Sequence, residues 1–281
     1  MQGNTTTTSR PPGDDCTGSG DETALVQAKI NEVADGGTVT LSGTCRVPGE
    51  LQIIGRKGLT VAGPVTLDGS SMIASDARHL RVQGGERITI RNLTILGARG
   101  TCRDTCGSAG YDREHGIAIE SFKGDPLTDV VIDKVTIRGV HGDFVYLGIK
   151  GSDAPADAPN RVTIKNSTFV NSGRQGIAAA GAEDLRINGN HLEAAGRTLF
   201  DFEAEAGGVG KVTITDNDTY DYDNAIINIG CADRGTGVPL NRGPIEFTGN
   251  RIHDQRLRIS TSCPEVSRPP VLNVGPNQEN V

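Results

Sequence analysis

The chain has 281 residues, and its 28 Lys and Arg against 35 Asp and Glu give a formal net charge of −7. This acidity argues against nucleic acid as a partner, because phosphates repel an acidic surface. No apolar run reaches the roughly eighteen residues that a membrane span needs, and the length permits one large domain or two ordinary ones. Low apolar content with 38 glycines is typical of disorder, but regular Val, Ile and Thr segments indicate a folded chain.

The N-terminal segment predicts a flexible lead-in followed by one helix. Residues 1–18 are polar, and the next four residues, Ser-Gly-Asp-Glu, have the pattern of a capping box. Val26, Ile30 and Val33 then recur on one helical face, and a Gly-Gly pair ends the pattern. We therefore expect an amphipathic helix over about 22–35.

The six cysteines predict disulfides. By position they form three pairs, which are Cys16 with Cys45, Cys102 with Cys106, and Cys231 with Cys263. An even number without the C-x-x-C spacing of metal sites favours an oxidising compartment. The N-terminal residues lack the apolar centre of a signal peptide, so we expect a secreted protein whose signal peptide is not part of this sequence.

A repeated eight-residue pattern organises the rest of the chain. Residues 88–95 read ITIRNLTI, in which apolar residues alternate before and after a polar pair. The alternation predicts strands, and Asn or Gly in the polar pair predicts a sharp bend. Further copies begin at positions 59, 130, 162, 185, 212 and 245. Asparagines near the bends are expected to bond from coil to coil; these are Asn92, Asn166, Asn190, Asn217 and Asn250.

A second short strand follows most bends. Its copies cover 115–120, 143–148, 175–181, 198–204, 224–230 and 256–260. In three coils it follows the first strand at one fixed distance, as from Ile137 to Val145. A single bent strand pair cannot bury its apolar face, so the copies are expected to stack.

These features together resemble the right-handed parallel β-helix, the pectin-lyase-like family. The resemblance covers about 38–259 and implies an all-β, single-stranded solenoid with an N-terminal amphipathic capping helix. The domain would then span 19–281. A leucine-rich repeat would need its own leucine spacing, and a β-sandwich would not repeat one bend in register.

Stacking in register would gather polar side chains on the outward face of the second strand, because equivalent residues of adjacent coils lie about 4.8 Å apart. One outward row is predicted to run Ala118, Tyr146, Ala178, Asp201, Asn228, Arg258. The full candidate set is Glu114, His115, Asp143, Tyr146, Arg174, Gln175, Arg197, Asp201, Glu203 and Asn228. Small neighbouring residues leave room for an extended polymer such as a polysaccharide.

Four members of this set are candidates for chemistry. His115 is suited to a general base and Tyr146 to an acid, while Asp143 would orient His115. Arg174, together with Arg197, would bind a carboxylate. Each has a structural alternative: a solvated histidine, ring packing, a turn cap or a surface salt bridge. The remaining members are predicted to contact substrate; they are Gln175, Asp201, Glu203, Glu114 and Asn228.

Two segments resemble the mannuronan C5-epimerase and alginate lyase type of β-helix protein. Residues 141–145, HGDFV, are similar to the segment in which an Asp enters the second strand. Residues 174–177, RQGI, are similar to the Arg-His-Gly-hydrophobic segment of the next coil, with Gln175 in place of the histidine. The resemblance implies that Asp143 and Arg174 lie in a substrate groove. In place of the family's Asp-Pro-His motif, residues 111–115 read YDREH.

Three functions follow as hypotheses. The first is an extracellular lyase or C5-epimerase that acts on a uronate-containing polysaccharide. The second is a glycoside hydrolase that uses Asp201 with Asp143 or Glu203, and the third is a non-catalytic carbohydrate-binding surface protein. We expect a monomer with no cofactor; the four aspartates within 216–223 could bind calcium, although a solvated turn suits them better.

Overall fold

The computed structural model describes residues 16–72, 78–99, 113–152, 154–203, 207–230, 241–253, 258–262 and 271–279. These residues form helix α1 (Thr23–Glu32), a short 3-10 helix (Pro155–Asp157) and a series of strands. In chain order the strands are β1 (Thr38–Thr40), β2 (Gly43–Arg46), β3 (Leu51–Ile54), β4 (Thr60–Asp68), β5 (Leu80–Gln83), β6 (Glu86–Leu96), β7 (Ile117–Phe122), β8 (Thr128–Asp133), β9 (Thr136–Val140), β10 (Val145–Lys150), β11 (Asn160–Lys165), β12 (Thr168–Ser172), β13 (Ile177–Ala179), β14 (Gly181–Asn188), β15 (His191–Ala195), β16 (Phe200–Phe202), β17 (Gly208–Thr215), β18 (Asp218–Tyr222), β19 (Ile227–Gly230), β20 (Ile245–Thr248), β21 (Arg251–Ile252), β22 (Ile259–Ser262), β23 (Leu272–Val274) and β24 (Gln278–Glu279).

The strands stack in parallel as the repeat predicts. They form one sheet of sixteen strands and one of eight. The larger sheet bends into two walls, since β6 pairs with β8 before its bend and with β9 after it. The smaller sheet is the third wall and contains β3, β5, β7, β10, β13, β16, β19 and β22 in spatial order. The predicted all-β parallel β-helix is therefore confirmed.

The third wall has the predicted register over most of its length. Tyr146 pairs with Ala118 on one side and Ala178 on the other, and Asp201 pairs with Asn228. The inward residues are buried, namely Ile117, Ile119, Val145, Leu147, Ile177, Phe200, Phe202, Ile227 and Ile229.

The last rung of this wall departs from the prediction. Asn228 pairs with Ser260 and not with Arg258, because the apolar Ile259 aligns with Ile227. Arg258 lies just before the strand, where its guanidinium donates to the Asn224 carbonyl oxygen at 3.0 Å.

The bends contain two successive special positions, and only the second carries the predicted amide ladder. Asn92 and Asn166 occupy the first position, where φ is 59° and 53°, and their side chains are exposed. The second position is buried. There Asn190 donates its side-chain amide to Asn217 at 2.9 Å, and Asn217 donates to Asn250 at 2.9 Å. The amide ladder is thus confirmed for Asn190, Asn217 and Asn250. Asn166 also bonds from coil to coil, because its side-chain amide donates to Asp133 Oδ1 at 2.9 Å, whereas the described residues show no such bond from Asn92.

Helix α1 is shorter than predicted but buries the predicted face. Val26 and Ile30 are buried, and Val33 packs against the same core just after the helix ends. The capping box is wrong, because the residue at the N-cap is Glu22, which makes no side-chain cap bond, and the side chain that accepts the Thr23 N–H is that of Asp21, at 2.9 Å. The Glu22 carboxylate instead accepts the backbone N–H of Arg46 at 3.0 Å. It therefore ties the helix to the first coil.

The helix also satisfies the exposed edge of β3. Gln27 Oε1 accepts the Gln52 N–H at 2.7 Å, and Gln27 Nε2 donates to the Gln52 carbonyl at 2.9 Å. An uncovered edge strand would leave such backbone groups available to other chains. The helix therefore covers the edge strand β3 at the N-terminal end of the stack. Among the described residues, no helix is long and apolar enough to cross a membrane.

One predicted disulfide lies within the described residues. Cys16 and Cys45 are bonded and both are buried, so this pair is confirmed. Cys102, Cys106, Cys231 and Cys263 lie outside the described residues, as does most of the predicted lead-in over 1–18.

We predict that Asn217→Ala lowers the free energy of unfolding by about 2–3 kcal/mol, because it leaves buried amide partners in two neighbouring coils without a bond. Urea unfolding followed by circular dichroism measures this change. Asn92→Gly is the matched control: it removes an exposed amide at a positive φ that glycine adopts freely, so its effect should stay within about 0.5 kcal/mol. Equal losses in both variants would contradict the ladder.

Candidate functional site

The outward face of the third wall contains a polar cavity of about 430 Å³. His115, Tyr146 and Arg174 all line it, although they come from three different coils. The remaining lining residues are Arg78, Arg113, Glu120, Gly148, Ile149, Lys150 and Glu203. The stacking register therefore assembles the predicted chemical groups in one place.

Two aromatic rings form one wall of the cavity. The His115 and Tyr146 rings stack with centroids 5.0 Å apart and planes 9° apart. Glycine makes this possible at two points: a Cβ on Gly148 would lie 2.6 Å from the Tyr146 hydroxyl, and a Cβ on Gly142 would lie 2.7 Å from His115 Nδ1. Both distances are too short for an atom contact, so a larger residue would displace a ring.

The hydrogen bond to His115 determines its tautomer. Its Nδ1 lies 3.0 Å from the backbone nitrogen of Asp143. A backbone N–H can only donate, so Nδ1 accepts, and the neutral ring carries its proton on Nε2. Burial lowers the pKa of His115 well below its usual range, and the guanidinium groups of Arg78, Arg174 and Arg113 act in the same direction. His115 is therefore a neutral N–H donor.

Asp143 lies behind the rings and is fully buried. Its Oδ1 accepts the Gln175 N–H at 2.9 Å, and its Oδ2 lies 3.3 Å from His115 Nδ1. Burial raises the pKa of Asp143 to about 7, and this outweighs the opposing effect of Arg174 and of the Gln175 N–H. Asp143 thus contacts His115 and does not line the cavity; its role in orienting the ring stays a prediction.

The cavity is positively charged within an acidic protein. Its lining holds Arg78, Arg113, Lys150 and Arg174 against Glu120 and Glu203, which is four positive and two negative groups, with His115 neutral. The Glu120 carboxylate is buried and lies within 3.4 Å of nitrogens of Arg78, Arg81 and Lys150. An excess of guanidinium and ammonium groups of this kind suits an anionic ligand, above all a carboxylate.

A family sequence profile described as "Right handed beta helix region" matches residues 115–266, which is more than half of the chain. The chain belongs to the right-handed β-helix family. The matched region contains His115, Asp143, Tyr146 and Arg174, and it begins at the first of them.

Several solved structures share the fold of this β-helix protein. The A-module of the mannuronan C-5 epimerase AlgE4 from Azotobacter vinelandii is 17% identical with a TM-score of 0.57, over 95% of this chain and 73% of that one. An alginate lyase from Paenibacillus sp. str. FPU-7 is 14% identical with a TM-score of 0.57, over 92% and 93%. A lacto-N-biosidase from Eubacterium ramulus is 10% identical with a TM-score of 0.51, over 92% and 63%. Likeness at these identities shows the fold alone, and no curated protein sequence matches significantly.

Three of the predicted substrate contacts instead bond to one another. Gln175 Nε2 donates to Asp201 Oδ2 at 2.8 Å, and Asn228 Nδ2 donates to Asp201 Oδ1 at 2.7 Å. Each carboxylate oxygen of Asp201 therefore accepts one side-chain amide. This row extends the polar face of the β-helix protein beyond the cavity.

The other predicted contacts are divided. Glu203 lines the cavity, and its Oε1 lies 3.9 Å from a terminal nitrogen of Arg174. Arg197 is exposed and is not among the lining residues. Glu114 is completely buried and bonded to His79, so its predicted contact with substrate does not fit the structure.

Four charged lining residues were not among the predicted site residues; these are Arg78, Arg113, Glu120 and Lys150. Arg78 escaped because β3 and β5 were not predicted as strands of the third wall. Residues 78–83, RHLRVQ, do alternate, with Leu80 and Val82 buried, and this alternation was the available signal. Lys150 follows the predicted strand, which ended two residues too early.

Among the residues described, no group of three or more His, Cys, Asp or Glu is arranged to hold a metal ion. In the acidic segment 216–223, Asp218 Oδ1 lies 3.1 Å from His253 Nε2 and 3.5 Å from Arg251 Nη1. The calcium hypothesis gains no support from these contacts.

We predict that Asp143 makes stability fall as pH rises from about 4 to about 7. Its raised pKa means that the folded protein keeps a proton over this interval that the unfolded chain releases, so rising pH favours unfolding. Urea unfolding of wild type and Asp143→Asn across pH 4–8 measures the effect. The unfolding free energy of the variant minus that of wild type should increase with pH. Curves of the two proteins that run parallel across pH 4–8 would contradict the prediction.

Proposed function

We propose that this protein is an enzyme that removes the proton α to the carboxylate of a uronate residue in an acidic polysaccharide, as a lyase or a C5-epimerase. The observation that carries the proposal is the cavity itself, in which a stacked His–Tyr pair lies among four cationic side chains. Fold likeness to a mannuronan C-5 epimerase and an alginate lyase is compatible with it. The fold alone assigns no activity.

Carboxylate binding is the first requirement of either reaction. The α-proton of a uronate becomes acidic only when the charge that develops on the carboxylate is stabilised, and preorganised cations in a partly buried site do this efficiently. Arg174 is half-buried on the cavity wall, with 21% of its side chain exposed. We assign it to the substrate carboxylate, with Arg78, Arg113 and Lys150 supplying further positive potential.

Proton transfer is the second requirement. In elimination, a base takes the C5 proton, the bond between C4 and O4 breaks, and an acid protonates the departing O4; in epimerisation, C5 receives a proton on the opposite face. Because His115 is neutral and carries its proton on Nε2, loss of that proton would leave an imidazolate, so we assign His115 a hydrogen bond to the substrate oxygen that gains charge and not the base role proposed from sequence. Tyr146, which lines the cavity, is then the group that takes the C5 proton as a phenolate and, in elimination, returns it as a phenol to the departing O4.

The hydrolase alternative has weaker support. It requires a pair of available carboxyl groups, but both oxygens of Asp201 accept side-chain amides and Asp143 is buried behind His115. The non-catalytic alternative differs in its expected result, which is glycan binding without any product. The bonded pair Cys16 and Cys45 supports an extracellular location.

We predict that the protein forms unsaturated products absorbing near 235 nm, or inverts C5 configuration as seen by NMR, on at least one polymer of a uronate panel. Arg174→Ala and Tyr146→Phe should each lower kcat/KM by about 10²–10⁴-fold, the usual contribution of such groups. Arg186→Ala is the matched control, since Arg186 is exposed and pairs with Asp184; it should retain full activity. Glycan binding without any product would favour the non-catalytic alternative.

The role of His115 has its own test. The side-chain amide of Gln can donate a hydrogen bond near the position of Nε2–H but cannot act as a base. We therefore expect His115→Gln to keep at least about tenfold more activity than His115→Ala, given that one well-placed hydrogen bond to a charged group contributes about 1.5–3 kcal/mol. Equal inactivity of the two variants would instead favour His115 as the base.

A further inference from the structure

The carboxyl group of Glu114 is buried without contact with the cavity. Its Oε1 lies 2.6 Å from His79 Nε2 and accepts the Ala98 N–H at 2.8 Å, while its Oε2 accepts the His141 N–H at 2.8 Å. Glu114 is 0% exposed. Every contact therefore joins it to a different segment of the chain.

Those segments adjoin two residues that line the cavity, Arg78 and His115, and the buried Asp143 behind it. His79 adjoins Arg78, Glu114 itself precedes His115, and His141 opens the turn that leads to Asp143. Backbone bonds complete the connection: the Gly142 N–H donates to the Glu114 carbonyl at 3.0 Å, and the His79 N–H donates to the His115 carbonyl at 2.9 Å. One side chain thus fixes three coils at the point where the cavity residues begin.

The β-helix does not need a carboxyl group at this position. In the register of the third wall, the equivalents of Glu114 are Gly142, Arg174 and Arg197 in the next three coils. Arg174 is half-buried and Arg197 is exposed, yet these coils stack equally well. Burial of a carboxylate costs several kcal/mol before its bonds are counted. A buried Glu stands at this position in the coil of His115 and in none of the next three coils. A role in the site therefore explains Glu114 better than a role in stacking the coils.

We infer that Glu114 is a positioning residue that holds the His115 imidazole, and with it Arg78 and Asp143, in the arrangement required for proton transfer. Through His141 it places the Asp143 N–H that bonds His115 Nδ1, and through His79 it anchors the segment that carries Arg78. The inference rests on the function proposed above for its catalytic meaning. Its structural content, the tautomer of His115, can be measured without any substrate.

The first experiment is imidazole ¹⁵N NMR of wild type and Glu114→Gln, with His115→Gln used to assign the signal of His115. Gln keeps the size of Glu but replaces one acceptor oxygen with an NH₂ group facing backbone N–H donors. We expect His115 in the wild type to show a protonated Nε2 and an unprotonated Nδ1, and to lose this signature in Glu114→Gln. An unchanged signature would overturn the inference, whether or not the protein turns over a polymer.

The second experiment is a double-mutant cycle on the active polymer. Glu114→Gln should lower kcat by about 10–100-fold with KM within about threefold, because displacing a reacting group by roughly 1 Å costs about that much. In a His115→Gln background the same substitution should have almost no further effect. Additive losses would show a general structural role and would overturn the inference.

Two controls keep the outcome interpretable. Glu193→Gln changes a half-buried Glu that pairs with His191 on another wall, and it should leave both the NMR signature and kcat unchanged. If Glu114→Gln does not fold, Glu114→Asp is the second variant. Its shorter side chain moves the carboxyl group away from the N–H groups of Ala98 and His141 and should displace His115 in the same way. A wild type that lacks activity but shows the expected NMR difference would reject the proposed function and support the inference.

Discussion

The in-register stacking of parallel coils is the constraint on which the whole structure depends. On the third wall, Val145 pairs with Ile117 and with Ile177, so residues about thirty positions apart become neighbours at the spacing of adjacent strands. A slip of one residue would turn the inward row outward and bury the polar row. The cavity exists because His115, Tyr146 and Arg174 occupy corresponding parts of successive coils.

The stack is reinforced where its geometry is most demanding. The bends need a residue at positive φ, which Asn92 and Asn166 supply, and the next position is closed by buried amides that bond along the axis. At the N-terminal end, Gln27 of the helix satisfies the backbone of Gln52. Both devices solve one problem, which is that a solenoid must satisfy backbone groups that have no partner within their own coil.

The charge of the cavity is opposite in sign to the net charge of the chain. The chain carries a net charge of −7, yet the lining of the cavity has more cationic than anionic groups. Beneath it, burial favours the neutral forms of both His115 and Asp143. Together with the neutral form of His115, the raised pKa of Asp143 reduces the negative charge close to Arg174, which favours the anionic ligand proposed for the cavity. This arrangement supports chemistry at a carboxylate-bearing sugar more than hydrolysis by two free carboxylates.

The sequence by itself determined the repeat, the position of its bends and the face on which His115, Tyr146 and Arg174 lie, because strand alternation and bend residues are local properties. It also identified the apolar face of the helix and the pairing of Cys16 with Cys45. Only the tertiary structure decided which outward side chains reach the cavity. Glu114 turns away into a buried network, Asp201 is held by Gln175 and Asn228, and Arg78 enters from a coil whose short strand gives a weak signal. Side-chain direction, burial and hydrogen-bond partners depend on neighbours in other coils, and no local pattern in the chain encodes them.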